Sequence, residues 1–133
     1  MIRRFVVVPP VPALLPKYRS SIDPVADLRA SALDVVAAMT KGAEEVSILG
    51  TDRFAGEVGR ALLAGAGFEG RVTREAPVAL VTANGSAMRS EQAPGHLDER
   101  AFDFDDAVDL ALRSADPRRL AALDPALGTE LWA

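Results

Sequence analysis

Three short apolar runs, Phe5-Val6-Val7-Val8, Val46-Ser47-Ile48-Leu49 and Val78-Ala79-Leu80-Val81-Thr82, are separated by spans long enough to hold helices. That spacing constrains the fold more than any other feature. Antiparallel neighbours need only a tight turn between them, whereas parallel neighbours need a long crossover, usually a helix. The run at Val78 carries no polar residue before Thr82, as a strand covered on both faces requires. The expectation is an α/β fold: a small, mostly parallel sheet flanked by helices.

The connecting spans agree with it. Pro9, Pro10 and Pro12 end the first run, because proline cannot donate to a ladder, and they predict a rigid extended loop through Pro16. Asp23-Pro24 reads as an N-cap and first helical residue, followed by Val25, Leu28, Ala32, Val35, Val36 and Met39 at helical spacing until Gly42. Phe54, Val58 and Leu62 form a second stripe, stopped by Gly65 and Gly67. Arg71 to Arg74 has the composition of a short edge strand.

Beyond residue 100 the pattern is wholly helical. Phe104, Ala107, Val108, Ala111 and Leu112 recur at helical spacing, with Asp105, Asp106, Asp109 and Arg113 on the solvated side. Asp109 and Arg113 are placed to pair across one turn. Asp116-Pro117 and Asp124-Pro125 each open a brief helix. Trp132 is a large aromatic seldom left in water, and is expected to dock on the core or on another subunit.

With 133 residues, 49% of them hydrophobic, the chain fits one domain spanning residues 1–133. A net charge of −4 and a pI near 5.0 disfavour nucleic acid and anionic membranes as partners, since both call for a basic face. The absence of cysteine removes disulfides, thiolate nucleophiles and cysteine-ligated metals, and fits a cytoplasmic location. Met1-Ile2-Arg3-Arg4 before an apolar run has the outline of a signal peptide, but Pro9-Pro10 cuts the run short and a first strand is the better reading. No apolar run approaches the ~18–20 residues that span a bilayer.

The candidate site is the run from Asn84 to Arg100, which leaves the buried strand at Val78 and holds the only histidine. The ligand-binding candidates are Asn84, Ser86, Arg89, Ser90, Glu91 and His96. Arg89 with Ser86 and Ser90 suits a carboxylate or phosphate through charge-assisted bonds; equally, Arg89 can pair with Glu91 or a helix acid and pin the loop. His96 is a general base or metal ligand in one reading and a solvated loop imidazole in the other. Asp98, Glu99, Asp103, Asp105, Asp106 and Asp109 are dense enough for a hard cation, but they match no calcium-loop spacing and suit a helix start and a solvated face. Gly50-Thr51-Asp52 ends a strand where such sheets bind ligands, without a phosphate-loop pattern. Asn84-Gly85-Ser86-Ala87-Met88 is not the nucleophile elbow of serine hydrolases.

The stretch Val8-Pro9-Pro10-Val11-Pro12-Ala13-Leu14-Leu15-Pro16 resembles the opening of actinobacterial relatives of the class III extradiol ring-cleavage dioxygenases, of the protocatechuate dioxygenase β-subunit type. Asn84-Gly85-Ser86, Arg89-Ser90-Glu91, Ala93-Pro94-Gly95, Leu97-Asp98-Glu99-Arg100-Ala101 and the tail from Asp116-Pro117 to Leu127 are similar to the same proteins. The resemblance implies a shortened member of that fold. Such relatives carry an iron-binding histidine between prolines in the opening loop, where Pro10 stands here, and Thr51 to Gly59 is too compact for the segment that holds another ligand. One histidine cannot supply a two-histidine, one-carboxylate site within a single subunit. The expectation is therefore a non-catalytic module without cofactor or metal, binding a small molecule or a protein through residues 84–100 as a homo-oligomer. Two alternatives stand beside it. One is a metal-dependent enzyme whose site is completed across a subunit interface by His96 and carboxylates; the other is a structural subunit of a larger homologous protein.

Overall fold

The computed structural model describes every residue, Met1–Ala133, in two compact units, Met1–Ala83 and Asn84–Ala133. The first is the α/β unit that the strand spacing predicts. It runs β1 (Arg4–Val8), α1 (Ala26–Thr40), β2 (Glu45–Leu49), α2 (Ala55–Gly65), β3 (Arg71–Thr73) and β4 (Val78–Thr82). The four strands are all parallel, in the order β1-β4-β2-β3. The Val78 run, apolar up to Thr82, takes an interior position between β1 and β2.

Register divides the sheet into two unlike faces. Val6, Leu80 and Ile48 stand level on one face, which carries the core: Val8, Val46, Val78 and Leu80 pack with Val36 and Met39 of α1 and Val58 and Leu62 of α2. Gly59 lets α2 lie close on β2, since a Cβ there would come within 2.8 Å of Ile48. The rows Phe5-Ala79-Ser47 and Val7-Val81-Leu49 form the second face, and none of these six residues joins the core cluster. Phe5 is 46% exposed and Leu49 36%.

The link from β3 to β4 is only the segment Arg74 to Pro77, far shorter than a usual parallel crossover. It suffices because Thr73 and Ala79 both stand level with Ser47, so the chain travels mainly sideways over β2. It does so on the second face, where Arg74 to Pro77 share a depression with Ser47 and Leu49. Helical crossovers in one direction on one face, with a return on the other, keep the same hand. Small residues give clearance beneath: Ala79 is fully buried, and Ser47 is 2% exposed with its hydroxyl unpartnered. Since a buried hydroxyl without a partner costs about 1–3 kcal/mol, Ser47→Ala is expected to leave stability unchanged or raise it by about 1 kcal/mol in urea unfolding. A clear loss would mean that the hydroxyl is bonded in solution.

The proline loop departs from an extended path. Prolines with fixed φ start two 3₁₀ turns, Pro12–Leu14 and Pro16–Tyr18, which present Leu14 and Leu15 to the core. Arg29 of α1, itself buried, donates to the carbonyls of Ala13 at 2.6 Å and Leu14 at 3.5 Å and pairs with Asp23. Asp23 is thus not the cap of α1. The helix starts at Ala26 after a turn from Asp23, whose carboxylate takes the Arg29 guanidinium and the Val25 N–H. The buried stripe of α1 is also narrower than its spacing predicts: Ala32, Val36 and Met39 are buried, Leu28 and Val35 exposed.

The second unit comprises the segment from Asn84 and three helices, α3 (Arg100–Arg113), α4 (Pro117–Ala121) and α5 (Pro125–Glu130). The two Asp-Pro pairs cap as expected. Asp116 accepts from the Arg118 and Arg119 N–H groups, and Asp124 from that of Ala126. The Asp109–Arg113 pair forms at 2.7 Å. A Cβ on Gly128 would lie 3.1 Å from the Phe104 ring, so the glycine lets α5 approach α3. Trp132 is 58% exposed at a positive φ. No helix is long and apolar enough to cross a membrane.

Candidate functional site

The run from Asn84 to Glu99 has no helix or strand of its own, so its shape rests on side chains and turns. Its anchor is Asp105, in the second turn of α3, whose side chain is only 11% exposed. Its carboxylate accepts the Ser86 N–H at 2.9 Å and faces the Arg89 guanidinium at 3.4 Å. Gly85 permits the approach, because a Cβ there would stand 3.1 Å from the same carboxylate. Ser86 adds a second tie, donating through Oγ to the Leu131 carbonyl while accepting the Met88 N–H. The Arg89 guanidinium also lies 5.2 Å above the Phe102 ring.

The rest of the loop closes on Met88. Its carbonyl accepts the Asp98 N–H, and Gly95 packs where a Cβ would be 2.4 Å from Met88 Cγ. The backbone turns at His96, whose φ of 60° is one that histidine adopts more readily than most residues. Asp98 and Arg100 then lock the entry to α3. The Arg100 guanidinium and N–H bond to Asp98 and hold its carboxyl below the usual range, while Asp98 and Glu130 raise the already high pKa of the guanidinium.

The six sequence candidates therefore fall into two groups. Ser86 donates its N–H to Asp105, and Arg89 forms an ion pair with the same helix acid while its side chain stays 51% exposed. Asn84, Ser90, Glu91 and His96 are exposed, and their side chains make no intramolecular hydrogen bond. Asp105 is the residue that periodicity missed, because its place in the helix assigned it to the solvated side with Asp106 and Asp109. The one sequence signal was a glycine-serine pair able to fold its backbone around an acid. Asp105→Asn keeps the shape but loses the charge that strengthens both contacts, and the Ser86 amide is expected to exchange about tenfold faster with deuterium. Unchanged exchange would show that Asp105 does not hold the loop.

At the carboxyl ends of β2 and β3, Gly50, Gly56, Arg60, Thr73 and Arg74 line a depression of about 350 Å³ near the start of α2. The attraction of a helix start for negative charge is met here by the chain's own Asp52, which accepts the Phe54 N–H at 2.7 Å. Within one chain no three His, Asp or Glu side chains converge as a metal-binding set. Comparison with protein-family models, curated proteins and solved structures finds no match.

Proposed function

We propose that this chain is a non-catalytic binding module, a shortened derivative of the extradiol dioxygenase fold, that recognises a small molecule or protein partner through the outer edge of residues 84–100. The observation that carries this reading is the division of labour around Asp105. Buried and paired groups fix the loop, which leaves Asn84, Ser90, Glu91 and His96 as a polar surface on a pinned frame. Recognition groups held in place by neighbouring contacts lose little freedom on binding.

The same reading makes the chain a homo-oligomer, with Trp132, Leu110 and Leu97 among the apolar side chains that a monomer leaves in water. The test is metal stoichiometry after anaerobic incubation with Fe(II), Mn(II) or Zn(II) and gel filtration, on the native chain and on His96→Ala. No retained metal is expected. Retention near one metal per subunit or per dimer, lost in His96→Ala, would overturn the proposal in favour of a metal site completed between subunits.

A further inference from the structure

We infer that the helix-free face of the sheet, covered only in part by the Arg74 to Pro77 link, is a docking surface for helix α3 of a second copy of this chain. All-parallel sheets are normally covered on both faces, yet here both helical crossovers lie on one. The other face carries the apolar row Val7-Val81-Leu49 with Phe5 beside it, and Phe5 and Leu49 remain exposed. A depression of about 810 Å³ beside Ser47 and Leu49 on this face is edged by Arg3 and Arg74. Neither guanidinium has an ion-pair partner, and Glu75 is the one acid on the rim.

An occupant of complementary chemistry is an amphipathic helix with apolar side chains set among acids. Helix α3 is one. Phe102, Asp106 and Leu110 follow one another at single-turn spacing on its exposed side, with Leu110 52% exposed. Asp103 and Asp106 are exposed there and make no ion pair, whereas Asp109 is committed to Arg113. The wider charge distribution agrees. Met1–Ala83 holds ten Lys and Arg against nine Asp and Glu, and Asn84–Ala133 five against ten, so the second unit of one copy is drawn to the first unit of another.

This inference rests on the reading of the chain as self-associating and names the surface responsible. Its test is sedimentation velocity on four forms of the chain across a concentration series, with circular dichroism to check folding. The forms are the native chain, Arg3→Glu/Arg74→Glu, Asp103→Arg/Asp106→Arg, and all four changes together. The native chain is expected to self-associate, sedimenting at higher concentration as species heavier than 14.1 kDa. Each double variant should raise the dissociation constant about tenfold or more, and the fourfold variant should restore association, because the reversed charges face one another again. Self-association indifferent to these changes, or not restored by combining them, overturns the surface alone. A monomer at every concentration overturns the surface and self-association together.

Discussion

Replacing Arg29 with methionine is expected to lower unfolding stability by about 3–5 kcal/mol, the cost typical of removing one partner from a buried ion pair. The side chains of Arg29 and Asp23 are only 10% and 13% exposed. Without the guanidinium, Asp23 keeps its charge in a poorly solvated place, and the carbonyls of Ala13 and Leu14 lose their donor. The damage should reach beyond the pair, since those carbonyls belong to the turns that seat Leu14 and Leu15 in the core. Urea unfolding measures the loss. Adding Asp23→Asn to Arg29→Met should recover part of it, because the orphaned charge is then gone. A single variant within about 1 kcal/mol of the native chain would show that the pair is solvated and not a structural pin.

Gly50→Val is the second large effect, expected to cost about 1–3 kcal/mol or more and to separate the ends of β2 and β4. A Cβ at this position would lie 1.9 Å from Thr82 Oγ1, 2.9 Å from the Thr82 carbonyl and 3.0 Å from the Ala55 Cβ. The hydroxyl can rotate away at the cost of its bond to the Leu49 carbonyl, but the carbonyl of Thr82 and the start of α2 cannot both retreat. Thermal unfolding reads the loss of stability, and amide shifts of Thr82 and Leu49 read the separation. A stable Gly50→Val with native shifts would mean that the strand ends stand farther apart than the structure places them.

Much of this architecture was legible because it is written in local spacing. The runs at Phe5, Val46 and Val78 become β1, β2 and β4 almost residue for residue, and the acids at 116 and 124 cap as aspartate before proline should. What was not legible depends on contacts between distant parts of the chain. Arg29 lies within an apolar helical stripe, and no periodicity announces that it turns inward to carbonyls some fifteen residues earlier. Asp105 has the spacing of a solvated acid and is claimed instead by a loop nineteen residues earlier. Strand order was hidden in the same way, since runs of equal hydrophobicity do not say which takes the middle. That one sheet face carries no helix follows from a link too short to hold one, visible in the sequence only once β3 and β4 are known to share the sheet.

The strand order also sets the sequence of events by which the sheet can assemble. β1 pairs only with β4, and β4 is the last strand to leave the ribosome. Until Thr82 emerges, β1 has no native neighbour, while β2 and β3 can already join. Assembly therefore ends with the insertion of a strand that is apolar from Val78 to Val81 between two waiting edges, a step that closes long loops and leaves unpaired edges open to other nascent chains. Synthesis halted before that residue yields fragments in which no strand pairs the two edges of the sheet.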